Sequence, residues 1–84
     1  MTYTLHLLAP GSYDLALDGV IMGGVVRETT AGGAPTGWCA ELLEDMPAAT
    51  RPRPFDCVEH RFPTLEAAMV WLGDAEVAHH TRAA

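Results

Sequence analysis

Cysteine, histidine and paired carboxylates are the side chains in this sequence that could bind a metal or carry a reaction. Cys39, Cys57, His60 and the pair His79-His80 are the ligands of zinc type. A structural zinc takes four nitrogen or sulfur ligands in a tetrahedron. Neither Cys-x-x-Cys nor His-x3-His occurs here, so the spacing is not that of a finger. Cys57 and His60 are three apart on an expected strand and should point to opposite faces, which opposes both a shared ion and a Cys–His nucleophile. Across a hairpin, Cys39 and Cys57 would be a diagonal pair ~7–8 Å apart, outside comfortable disulfide reach. No GxxxxGK[ST] or GxGxxG loop follows a strand. These patterns predict no catalytic site, no metal and no cofactor, and the expectation is that the chain is not an enzyme.

Five residues remain as candidates for touching a partner. Glu41 and Glu59 are expected to share one solvent-facing or partner-facing sheet surface with Arg61. Arg51 and Arg53 form the basic stretch Arg51-Pro52-Arg53-Pro54 on a long loop, where binding residues are often carried.

The elements that must position them fit one domain over residues 1–84. Period-two alternation marks strands at 3–7 and 13–17, where Tyr3, Leu5, Leu7, Tyr13, Leu15 and Leu17 alternate with smaller or polar residues. Asp18-Gly19 between apolar runs is a hairpin turn, because both central positions need positive φ. A third strand runs over 20–29, with Gly23-Gly24 marking a bulge or bend. Fourth and fifth strands are expected at 38–43 and 55–62, separated by a proline-bearing loop. Thr64 is a helix N-cap, Leu65, Ala68, Met69 and Leu72 form one apolar stripe, and Gly73 stands at the C′ position. Residues 74–84 form either a short second helix or a frayed tail. Strands first and helix last predict an α+β fold: a small antiparallel sheet of about four to five strands with one C-terminal amphipathic helix packed on one face.

If Leu43 lies opposite Phe55, then Glu41 faces Cys57 and Cys39 faces Glu59. Trp38, Ala40, Leu42, Val58 and His60 then line the apolar face under the helix, while Cys39, Glu41, Leu43, Cys57, Glu59 and Arg61 line the other. Trp38 and Trp71 are both expected in the core.

The segments Trp38-Cys39-Ala40-Glu41-Leu42 and Arg61-Phe62-Pro63-Thr64-Leu65-Glu66-Ala67-Ala68 together resemble two fold patterns over residues 37–72. One is the three-strand-plus-helix DNA-binding domain of plant transcription factors and phage integrase arms. The other is the double-stranded-RNA-binding-like fold of HicB-type antitoxins. DNA readers of the first kind use basic strands, whereas the matching strands here carry Glu41, Asp56 and Glu59.

Charge separates the function classes further. Eleven acids stand against five arginines, the formal net charge is −6, and lysine, asparagine and glutamine are absent. That usage fits a GC-rich bacterial or phage genome. A chain so negative repels a phosphate backbone unless its arginines cluster, so nucleic acid is disfavoured. No apolar run approaches the ~20 residues of a membrane span, and the N-terminus lacks the pattern of a signal peptide. A cytoplasmic protein with reduced thiols is expected. A chain of this length buries only about 60–65% of its unfolded surface, so its core is thin and a protein partner or a second copy would complete it. The leading expectation is therefore a small non-enzymatic protein-interaction module, self-association included. Two alternatives stand beside it. One is a nucleic-acid-binding regulator using Arg27, Arg51, Arg53 and Arg61. The other is an acidic phage- or plasmid-type inhibitor of a nucleic-acid-binding protein, using Asp14, Asp18, Glu28, Glu41, Glu44, Asp45, Asp56 and Glu59.

Overall fold

The computed structural model describes residues 2–78. Five strands form an antiparallel meander: β1 (Tyr3–Ala9), β2 (Ser12–Leu17), β3 (Val20–Thr29), β4 (Pro35–Leu42) and β5 (Glu59–Phe62). Helix α1 (Leu65–Trp71) follows, and β6 (Glu76–Ala78) closes the sheet in the order β5-β4-β3-β2-β1-β6.

The local signals act as their chemistry requires. Asp18 and Gly19 both take positive φ, 50° and 86°, and join β2 to β3. Leu15 pairs with Gly23 but Ala16 pairs with Ile21, so Met22 is the extra residue of a β-bulge beside the glycine pair. The Thr64 hydroxyl accepts a hydrogen bond from the Ala67 amide at 3.1 Å and starts α1. Gly73, at φ 81°, ends it.

Three expectations about the number and order of elements are corrected. The sheet has six strands rather than four or five, and the helix is not the last element. The described part of the expected second helix is β6, which runs parallel to β1 with Val77 opposite Leu5. Left-handed Gly73 and Asp74 turn the chain back, and the open edge of β1 offers Glu76–Ala78 backbone partners that three residues cannot supply to themselves as a helix. Residues 79–84, with His79 and His80, lie outside the described residues.

The strand expected at 55–62 begins only at Glu59. Phe55 leaves the extended path and is 5% exposed, with its ring 4.9 Å from Trp71, 5.8 Å from His60 and 6.3 Å from Tyr3, centroid to centroid. The hairpin register is corrected with it. Glu41 faces Glu59 and Cys39 faces Arg61. The displacement is two residues, one full period of the pleat, so each side chain keeps the face expected for it.

Leu5, Leu15, Val25, Ala40 and Leu42 supply the sheet side of the core. Leu72 of the helix stripe, Ala75, and Phe55 from the 43–58 loop close it from above, with Trp38 and Trp71 packed at its border, and Ala68 of the same stripe is fully buried. Helix and loop cover the same face. The domain measures 39 × 39 × 21 Å, the thickness of two layers, so the opposite face of the sheet is left open.

Candidate functional site: the open face of the sheet

Strand alternation places Asp14 and Ala16 of β2, Gly24, Val26 and Glu28 of β3, Cys39 and Glu41 of β4, and Glu59 and Arg61 of β5 on the open face. Three of the five expected partner-binding residues, Glu41, Glu59 and Arg61, are thus brought together. Arg61 donates from Nε to Glu28 Oε1 at 2.9 Å, and its Nη2 lies 3.6 Å from Glu59 Oε1. The hydrogen bond and charge of Glu28, then the charge of Glu59, hold the guanidinium above its ordinary pKa. Across the β4–β5 ladder Glu41 stands directly opposite Glu59, a like-charge pair that Arg61 relieves at Glu59 alone.

Cys39 sits under this cluster, 4% exposed, and its Sγ donates to Glu59 Oε2 at 3.8 Å. Burial first, then the charges of Glu59, Glu41 and Glu28, push its thiol up to about 11. The thiol therefore stays protonated at neutral pH and is a poor nucleophile. Cys39, Glu41 and Glu59 offer ligand atoms within 4.8 Å of one another, the described set with a cation's geometry. The protonated thiol and the guanidinium on Glu59 both oppose an ion there.

An alkaline pH dependence follows. The folded chain holds the Cys39 proton to about 11, whereas an unfolded thiol releases it near the reference value of 9.0. Between those values the unfolded state binds fewer protons, so stability falls as pH rises. The buried Tyr3 phenol, also raised, adds the same sign from about 10 upward. Melting temperatures measured through this range should decline, and Cys39→Ala should remove the portion that begins near 9.

Cys57 differs. It was expected on the strand, pointing away from His60. Instead it lies before β5, exposed, with Sγ 3.6 Å from His60 Nε2 and 3.1 Å from the Glu59 carbonyl. His60 Nε2 is already an acceptor for the amides of Asp56 at 3.1 Å and Cys57 at 3.4 Å, and its ring packs 4.6 Å from Trp71. That lone pair is spent on holding the turn and is a poor base for the thiol. Native protein treated with iodoacetamide at mildly alkaline pH should carry one label, on Cys57, and a second on Cys39 only in denaturant. Equal labelling of both thiols in native protein would contradict the burial of Cys39.

The remaining two expected residues are elsewhere. The Arg51 guanidinium, 15% exposed, donates to the carbonyls of Met46 (2.8 Å) and Asp56 and lies 3.9 Å from Asp45, so it fastens the loop to itself. Arg53 is exposed, and its carbonyl accepts from the Tyr3 hydroxyl at 2.6 Å. Arg27, opposite Trp38, projects to the side away from Arg61.

Beside the carboxylate cluster an open groove of about 380 Å³ runs over the sheet, lined by Leu8, Asp14, Gly24, Val26, Glu41 and Leu43 among others. Leu8 and Leu43 are 63% and 69% exposed, comparable to Val20 and Val70 elsewhere at 65% each, but they are the two that line this groove together. Sequence reading missed Leu8 and Val26 as site residues and held Asp14 only within the acidic set of the inhibitor alternative. The alternation of Asp14 and Val26 against buried Leu15 and Val25 carried their face, but not that the described helix and loop leave it uncovered.

The fold and this face define a two-layer α+β domain with one sheet surface that no described helix or loop covers, although Ala16 and Cys39 on it are themselves buried. Among known proteins the chain matches no family model, no curated protein and no solved structure. Among the described residues no helix is long and apolar enough to cross a membrane.

Proposed function

We propose that this chain is a non-enzymatic protein-interaction module that presents the open face of its sheet to a partner protein. The observation that carries the reading is the groove with exposed Leu8 and Leu43 on a face that neither the helix nor the long loop covers. Exposed aliphatic surface rimmed by charge is the usual character of a protein contact. The acidic-inhibitor reading is the special case favoured by Asp14, Glu28, Glu41 and Glu59 sharing this face. A nucleic-acid reading has less support, because Arg61 is spent on two carboxylates, Arg51 on carbonyls, and Arg27 projects to the other side.

The test is affinity capture from cells that express the protein, with Leu8→Ser/Leu43→Ser compared against Val70→Ser on the helix. Loss of the captured partner with the double variant alone is expected. Equal recovery with both would refute the face. Size-exclusion chromatography with light scattering over a concentration series shows whether the partner is a second copy.

A further inference from the structure

We infer that the groove receives an arginine-bearing aliphatic segment of a partner protein. This rests on the reading of the open face as the contact surface and adds the chemistry of what it contacts. Asp14, Gly24 and Glu41 are directly opposed across β2, β3 and β4, so they form one row perpendicular to the strands. Neighbouring strands are ~4.8 Å apart, which puts the two acids on either side of a residue without a side chain. A Cβ at Gly24 would come 3.3 Å from the Tyr13 carbonyl, and its absence leaves the row with a low centre. Asp14 and Glu41 stand two strand spacings apart, about 10 Å between backbones, so a guanidinium seated over Gly24 lies between them and can donate to one carboxylate from each edge when the two side chains lean inward.

The two acids are also available. Glu28 and Glu59 on the same face are taken by Arg61, whereas no ion pair engages Asp14 or Glu41 among the described residues. Leu8, Val26 and Leu43 line the groove around the row and would take aliphatic neighbours of the cation. The formal charge of −6 attracts a basic partner from a distance. It also argues against a second copy as the occupant, since stacking this face on itself would bring the acid row against its own image.

The probe is a short acetylated peptide alternating arginine and leucine, labelled for fluorescence anisotropy. Its controls are the same peptide with citrulline for arginine, and a glutamate–leucine peptide. Binding is expected for the arginine peptide, with amide shifts centred on Asp14, Gly24 and Glu41 in nuclear magnetic resonance spectra. Citrulline should weaken it about tenfold or more, as should Asp14→Asn/Glu41→Gln, near-isosteric substitutions at a half-buried and an exposed position outside the core cluster. Raising the salt should weaken it as well. Absence of binding at millimolar peptide overturns the inference, and so does arginine-peptide binding that the double variant does not change. If the citrulline or glutamate peptide binds equally and Leu8→Ser/Leu43→Ser abolishes it, the basic occupant is wrong while the open face stands as the contact surface.

Discussion

Gly23→Ala is expected to cost about 3 kcal/mol or more, the upper end of what overpacking takes from a close-packed site. Gly23 is paired on both sides, with Leu15 on β2 and with Leu42 on β4. A Cβ there would run into the Glu41 carbonyl oxygen and stand 3.1 Å from its carbon and 3.2 Å from Leu42 Cα. All three are backbone atoms of the central ladder, so no rotamer change makes room. The backbone of β4 passes too close at this point for any side chain, and glycine is the residue that permits it. A domain of this size has on the order of 5–10 kcal/mol to lose. Each kcal/mol shifts the melting temperature by about 4–8 °C, so a drop of at least about 12 °C should appear in thermal melts. Gly32→Ala, whose Cβ would have only the Thr30 hydroxyl at 3.8 Å, is the control and should change little. An unaltered melt for Gly23→Ala would mean that β3 and β4 are not in this register.

Phe55→Ala should cost about 3–5 kcal/mol, the range for removing a buried aromatic ring. Phe55 is the one buried residue of the 43–58 loop, and it ties that loop to Tyr3, His60 and Trp71. Loss of its ring leaves the loop held by the Tyr3–Arg53 hydrogen bond and the Arg51 staple. The effect has a local signature beyond a lower urea midpoint. Amides of Asp56 and Cys57, which donate to His60, should lose protection in hydrogen exchange first, and Trp71 emission should shift as its edge-on neighbour disappears. The open face should be spared, so the binding tested on Asp14 and Glu41 should survive wherever the variant is folded. A normal urea midpoint would place Phe55 outside the core.

Both predictions concern residues whose roles were unequally legible. A glycine pair inside an apolar run announces a bulge, because only a missing side chain tolerates the approach. Phe55 announced nothing. It follows Pro54 and precedes Asp56-Cys57-Val58, and an apolar residue in such a stretch reads as a strand continuing into Glu59–Phe62. That it folds inward depends on the space between Tyr3 and Trp71, residues far from it in the chain.

What the sequence determined alone is what nearest neighbours decide. Asp18-Gly19 sets the β2–β3 hairpin, Thr64 and Gly73 bound the helix, and strict alternation assigns Glu41, Glu59 and Arg61 to one face. The face assignment survived a two-residue error in register because side-chain direction repeats every second residue. Tertiary structure decided the rest. β6 exists because β1 has an open edge to pair with, and three residues carry no period of their own. The Asp14–Gly24–Glu41 row exists because three strands align at one level, a relation that no stretch of chain contains. Above all, helix and loop chose the same side of the sheet, and long-range packing alone determines which face of a two-sided sheet is left bare.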